Sequence, residues 1–185
     1  LTIDGYSCVG CGGVLENTSL PSDGLNLIIG PTIDGSLLPV QGSSDLLVVD
    51  ADNVTIRGLN LRNAGDVAIA FDQDAEDGVV EGCLIGTDRT GTVAAPNVGG
   101  GILIERGKDI TIGPSNLISG NGGAGIRIAP FLGNQQDAVV IGNLIGVDIT
   151  GGVALPNGGV GIQVEGGTWS GQVERLLVGD GTEAG

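Results

Sequence analysis

The residues of this chain that could do chemistry are carboxylates, because it contains 22 Asp and Glu but no histidine. The missing histidine excludes Ser-His-Asp and Cys-His catalysis, imidazole general bases and His-ligated zinc. The densest acidic run, residues 72–78, holds Asp72, Asp74, Glu76 and Asp77. Carboxylates that alternate along a turn are ligands that Ca²⁺ accepts, so the run predicts a calcium site. It lacks the full spacing of a calcium loop, which leaves a solvated acidic corner as the alternative.

Two aspartates and one arginine are candidates for binding a glycan or a cation. Asp88 and Asp148 stand 60 residues apart, and each begins an Asp-x-Thr-Gly sequence. The alternative for both is that the carboxylate caps its own turn. Arg127 is the one basic residue at an outward strand position of the aligned repeats, where an acidic polysaccharide could reach it. The net charge of −15 would repel a polyuronate unless a metal ion bridged it to the protein. The same charge argues against a nucleic-acid partner.

Internal repetition is the main signal in the sequence. The segment 79–97 recurs without a gap as 139–157, and a shorter related segment lies halfway between them, at 110–118. The repeating unit is therefore about 30 residues, in which long and short versions alternate. Within each unit, apolar residues alternate in bursts of three to five residues, which is the spacing of strands and not of helices.

The aligned bursts predict an all-β fold, a right-handed parallel β-helix of about six rungs with three short strands per rung. Glycine, which takes 37 of the 185 positions, then supplies the turns between sheets. The residues predicted to face the core are Ile69, Phe71, Ile102, Ile104, Ile126, Ile128, Ile162 and Val164. The residues between them, predicted to face outward, are Ala70, Leu103, Arg127 and Gln163.

Asparagine and cysteine share one position of the repeat. Asn116 and Asn143 are equivalent, and Cys83 occupies the same place one unit earlier. Stacked asparagines at a corner can hydrogen-bond from rung to rung, so we expect a ladder with Cys83 as a small buried substitute. Cys8 and Cys11 form a C-x-x-C sequence in a glycine-rich segment, and the alternatives for it are a local disulfide, two free thiols, and a redox or metal role.

The segments 82–97 and 142–157 share the pattern G-N/C-L-I-G-x-D-x-T-G-x-x-A-x-P-N. This pattern resembles the repeats of bacterial secreted right-handed parallel β-helix proteins of the pectate-lyase-like superfold. It is similar to the repeats of CSLREA-domain-type surface proteins. The resemblance implies the fold and an extracellular or cell-surface location. It does not imply an activity, since the superfold includes lyases, hydrolases and adhesins.

We therefore expect one domain over residues 1–185, a piece of a larger protein, with irregular rungs in 1–53 and regular ones in 54–180. The predicted function is a non-catalytic structural or adhesive scaffold that contacts other domains or copies of itself through the solenoid ends. The alternative is a polysaccharide lyase, a glycoside hydrolase or a calcium-assisted glycan-binding module acting on acidic polysaccharide. No cofactor is required, with Ca²⁺ as the one candidate. Uninterrupted apolar runs of about four residues argue against membrane insertion.

Overall fold

The computed structural model describes residues 1–8, 14–19, 23–38, 44–72, 75–130, 137–166, 173 and 175–179. Regular structure in these ranges is β, and no helix there has the length and hydrophobicity needed to cross a membrane. The strands are β1 (Thr2–Asp4), β2 (Thr32–Asp34), β3 (Leu47–Val49), β4 (Thr55–Arg57), β5 (Asn60–Arg62), β6 (Val67–Phe71), β7 (Val79–Glu81), β8 (Leu84–Ile85), β9 (Gly100–Ile104), β10 (Thr111–Ile112), β11 (Leu117–Ile118), β12 (Ala124–Ile128), β13 (Ala138–Ile141), β14 (Leu144–Ile145), β15 (Ile162–Val164) and β16 (Leu176–Gly179).

The strands form three parallel sheets in which neighbours are three strands apart along the chain. The first sheet has the order β1-β4-β7-β10-β13-β16, the second β2-β5-β8-β11-β14 and the third β3-β6-β9-β12-β15. Each rung gives one strand to each sheet, so the described residues form five full rungs and the first strand of a sixth. This is the parallel β-helix of about six rungs that the repeat predicts.

The core is a set of aliphatic columns that run through the rungs. Ile69, Ile102 and Ile126 are in register on neighbouring strands of the third sheet and are at most 1% exposed. Burial of one such side chain contributes roughly 1.5–3 kcal/mol. The predicted inward residue Val164 is 49% exposed, because β15 is the outermost described strand of this sheet.

The corner between the first and second sheets contains the predicted asparagine ladder. Asn116 Nδ2 donates to Asn143 Oδ1 at 2.9 Å and to the Val80 carbonyl at 2.8 Å. Asn116 Oδ1 accepts the backbone N–H of Cys83 at 2.9 Å. The ladder thus satisfies backbone groups that the corner seals away from water, where an unpaired polar group is costly.

A second ladder lies at the corner between the second and third sheets. Asn97 Nδ2 donates to Asn121 Oδ1, and Asn121 Nδ2 donates to Asn157 Oδ1, both at 2.9 Å. Each Nδ2 also donates to a backbone carbonyl, and the three residues are at most 9% exposed. The repeat pattern did not predict this second ladder.

The chain between β1 and β2 leaves the solenoid and crosses its outside. We call residues 14–19 and 23–31 the strap; its two arms pair in antiparallel fashion at Leu15 and Ile28. The strap packs on a column of outward leucines from three rungs of the second sheet: Leu84, Leu117 and Leu144. Its own buried side chains are Leu25, Leu27 and Ile29. The strap therefore covers the outer face of the second sheet at rungs 3 to 5.

The ladder geometry predicts that Cys83→Asn stabilises the protein. The Cys83 sulfur lies 3.8 Å from the Ile56 carbonyl, which is the equivalent of the carbonyl that accepts from Asn116. An asparagine amide there would donate to Ile56 and to Asn116 Oδ1, and its oxygen would accept the Leu59 N–H that now reaches the sulfur. We expect the free energy of unfolding in urea to rise by about 1 kcal/mol.

The matched control is Cys83→Ala. This variant keeps the hydrogen bond from its backbone N–H to Asn116 but leaves a small void. We expect its free energy of unfolding to be about 1 kcal/mol lower than that of the wild type. A Cys83→Asn protein less stable than Cys83→Ala would show that the ladder does not extend to this rung.

Candidate functional site

Asp88 lies at the base of a two-stranded excursion from rung 3. We call residues 86–95 and the equivalent 146–155 of rung 5 the two ears; each is closed by an antiparallel pair, Thr87 with Ala94 in the first. Asp88 accepts hydrogen bonds from Thr90 Oγ1 at 2.8 Å and from the Val93 N–H at 3.2 Å. Burial raises the pKa of Asp88, but these bonds outweigh it and the net shift is downward.

Asp148 repeats this arrangement in the second ear. Its Oδ1 accepts from Thr150 Oγ1 at 2.6 Å and from the Val153 N–H at 3.2 Å. The Thr150 hydroxyl is the main reason that the pKa of Asp148 is lowered. The ears touch, because the Ile149 N–H donates to the Gly91 carbonyl at 3.0 Å. Both carboxylates therefore cap their own turns, which is the alternative to the glycan or cation site that the sequence suggested for them.

Arg127 lies on the outer face of the third sheet, as its alternation predicts, and it is paired. Its Nε and Nη2 donate to the two carboxylate oxygens of Glu165 at 2.9 and 3.0 Å. Gln163 Nε2 donates to the same carboxylate at 2.8 Å. The guanidinium lowers the pKa of Glu165, so the pair stays charged at neutral pH. A bidentate pair of this kind holds the arginine in one orientation.

Asp72, Glu76 and Asp77 of the acidic run lie at the corner between the third and first sheets. Glu76 is 3.4 Å from Lys108 Nζ, and Asp72 is 3.9 Å from Arg106 Nε. Asp77 has a left-handed φ of 54°, which aspartate tolerates better than most residues. Asp74 lies outside the described residues. In the part of the chain that the structure describes, no three His, Cys, Asp or Glu residues are grouped closely enough to hold a metal ion.

The left-handed turn at Asp77 recurs at the same corner of other rungs. Asn53, Asp109 and Asp137 have φ values of 55°, 54° and 54°. Each precedes the residue that leads into a strand of the first sheet. A requirement for Asx at this corner explains part of the acidic composition without a ligand.

One charged cluster was not found from the sequence. Arg57 Nη2 is 3.0 Å from Asp4, and Arg57 Nη1 is 3.2 Å from Glu16 and 3.6 Å from Glu81. Asp4, Arg57 and Glu81 are in register on β1, β4 and β7, and Glu16 comes from the strap. Arg57 also lies 5.8 Å from the centre of the Tyr6 ring, within cation–π range. Aligning the third positions of these strands would have revealed the column, but nothing in the repeat points to Glu16.

A small cleft opens beside this cluster. It has a volume of about 100 Å³ and is lined by Tyr6, Glu16, Asn17, Glu81, Gly82, Pro114 and Ser115. The Tyr6 hydroxyl donates to the Gly82 carbonyl at 2.7 Å, and burial raises the pKa of Tyr6 well above its usual range. The hydroxyl is therefore a neutral donor at physiological pH.

Neither of the cysteines that the structure describes has the exposed, readily ionised thiol that a nucleophile needs. Cys8 is disulfide-bonded, and Cys11 lies outside the described residues. Cys83 is a free thiol with no exposed surface, and burial raises its pKa to about 12. A thiol of this kind is not a nucleophile at neutral pH.

A comparison of the chain with protein-family models, curated proteins and solved structures found no match. The functional assignment therefore depends on the contacts described above.

Because Asp88 caps its own turn, we expect Asp88→Asn to lower the stability of the protein by an amount that depends on pH. The pKa of Asp88 is lower in the folded protein than its ordinary value of 3.8. Its stabilising contribution is thus complete above about pH 4 and is lost as the pH falls through the folded pKa. We expect Asp88→Asn to lower the free energy of unfolding by about 1 kcal/mol at pH 7, and the difference to shrink below pH 4.

The control is Asp50→Asn, an exposed carboxylate at another corner, which should change stability by less than about 0.5 kcal/mol. Urea unfolding of the three proteins, with Ca²⁺ and with a chelator, measures both effects. Stabilisation of the wild type by Ca²⁺ that Asp88→Asn abolishes would contradict a purely structural role.

Proposed function

We propose that this chain is a non-catalytic scaffold, a rigid solenoid unit of an extracellular or cell-surface protein. The observation that carries the proposal is that the candidate functional groups already have structural partners. Asp88 and Asp148 cap turns, and Arg127 is bound to Glu165 through two hydrogen bonds. Using these groups for a ligand would require breaking contacts that hold the fold.

The interior supports the same proposal. The two asparagine ladders and the aliphatic columns repeat from rung to rung, so the cross-section is set by buried contacts. A solenoid of this kind is stiff along its axis, which suits a spacer or an adhesin stalk. The resemblance of the repeats to those of CSLREA-domain-type surface proteins favours this role, and the finer family assignment belongs to the proposal.

We further propose that the solenoid stacks on neighbouring domains or copies through its end strands. In the sixth rung, β16 pairs with β13 on one side, and its Leu177 and Val178 are 61% and 54% exposed. Val178 is in register with Val140, which is buried in the core. Among the residues that the structure describes, β16 has no strand partner on its other side. A strand with such an edge and exposed core positions is a template for further pairing.

A glycan-binding module or a polysaccharide-cleaving enzyme is the second candidate, favoured by the cleft beside Arg57. There, Glu16 and Glu81 line a concave site with Tyr6, and an arginine lies within 3.6 Å of both carboxylates. Carboxylates beside a cation and an aromatic ring are a combination that sugar-binding sites also use.

An activity assay separates the scaffold from the polysaccharide-cleaving enzyme. The wild type and Glu81→Gln are incubated with acidic polysaccharides, with Ca²⁺ and with a chelator, and new reducing or unsaturated ends are measured. We expect no release above the protein-free blank from either protein. Release by the wild type that Glu81→Gln abolishes would overturn the scaffold proposal in favour of the enzyme.

A stacking assay tests the end contacts. Sedimentation velocity over a range of concentrations should show association of the wild type. Val178→Lys, which places a charge at an inward position of the edge strand, should lower it at least about tenfold. Leu177→Lys, on the outer face of the same strand, is the control and should associate like the wild type. A wild type that stays monomeric throughout would contradict self-stacking.

A further inference from the structure

The strap contacts rungs that are far apart in the solenoid. The Leu25 N–H at one end donates to the Ile149 carbonyl of rung 5 at 2.8 Å. At the other end, the Gly30 N–H donates to the Gly58 carbonyl of rung 2 at 3.1 Å. The six residues from Leu25 to Gly30 span roughly 17 Å when extended, which is enough for the three spacings of about 4.8 Å between rungs 2 and 5. The returning arm of the strap therefore runs along the axis, across the strands.

The contacts between these ends are also specific to individual rungs. Arg89 of rung 3 donates to the Ile29 carbonyl at 2.8 Å. Asn17 of the outgoing arm donates to Ser115 of rung 4 at 3.0 Å, and Glu16 is 3.2 Å from Arg57 of rung 2. The strap thus has a polar contact with each rung from the second to the fifth.

The fit at rung 5 is close. A Cβ added at Gly24 would lie 2.7 Å from the carbonyl oxygens of Ile149 and Thr150, and Gly24 has a left-handed φ of 77°. Only glycine meets both conditions without strain. The sequence is adapted to hold the strap against this rung.

A plain solenoid contacts only its nearest neighbours, so its stability is a sum of rung terms and interface terms, and rungs can open one at a time. The strap adds contacts that several rungs share. When the strap is docked, opening rung 5 breaks the hydrogen bond from the Leu25 N–H to the Ile149 carbonyl. It also uncovers Leu144, which the apolar side chains of the strap cover.

We propose that the strap is a clamp that couples rungs 2 to 5, so that they unfold as one cooperative unit and not rung by rung. The clamp is independent of whether the chain is a scaffold or an enzyme, because it concerns only how the solenoid opens.

The test compares two adjacent strap positions in the full chain. Leu27 is 6% exposed and faces the leucine column, whereas Ile28 is 48% exposed on the opposite side. Leu27→Ser should loosen the strap, and Ile28→Ser is the matched control. Native-state hydrogen exchange measures the opening of each rung, and calorimetry gives the ratio of van't Hoff to calorimetric enthalpy.

In the wild type and in Ile28→Ser, we expect the slowest amides of rungs 2 to 5 to exchange at a common rate and the enthalpy ratio to be near one. In Leu27→Ser, amides of β13 and β14 should exchange at least about tenfold faster than those of β4 and β5, with a ratio below one. Equal acceleration of all rungs in Leu27→Ser would overturn the proposal, because the strap would then add stability without coupling. Rung-by-rung exchange in the wild type would overturn it too. If Leu27→Ser does not fold, Leu25→Ala, which removes fewer contacts at rung 5, gives the same comparison.

Discussion

Every corner of this solenoid must satisfy backbone groups that have no access to water, and the rest of the structure depends on that constraint. Strands satisfy one another along the sheets, but at a corner the chain changes direction and the ladder of backbone bonds is interrupted. At two of the three corners asparagine side chains complete it, each with bonds both to its neighbour in the ladder and to the backbone. Because one asparagine serves the corner of the next rung, the rungs must remain in register. Uniform corners then allow the aliphatic residues to stack in columns.

The charged side chains also make contacts between neighbouring rungs. Six of the seven cationic side chains are in ion pairs, and the seventh, Arg89, binds a backbone carbonyl of the strap. The guanidinium groups of Arg57 and Arg127 lower the pKa values of their partners Asp4 and Glu165. The chain thus has a large net negative charge, and its few cationic side chains join neighbouring rungs to one another and to the strap.

How much could be predicted from the sequence follows from what the repeat encodes. The columns around Ile102 and Ile126, the outward position of Arg127 and the ladder at Asn116 depend on contacts between equivalent residues, so the alignment of units reveals them. The second ladder was not predicted because its members differ in local sequence. Asn97 and Asn157 each follow a proline in the long rungs, whereas Asn121 follows a glycine in the short rung between them. The strap and Glu16 lie outside the repeat, and their positions depend on tertiary contacts that no periodicity records.

The strap also imposes an order of events during synthesis. The strap is synthesised before rungs 2 to 5, on which it packs, yet its Leu25 binds Ile149, more than a hundred residues later in the chain. Until rung 5 has formed, the docking surface of the strap is incomplete, and both it and the leucine column of rungs 3 to 5 remain open to solvent. Such long sequence separation slows folding and prolongs the exposure of apolar surface. We therefore expect the docking of the strap on rung 5 to be a late step in folding.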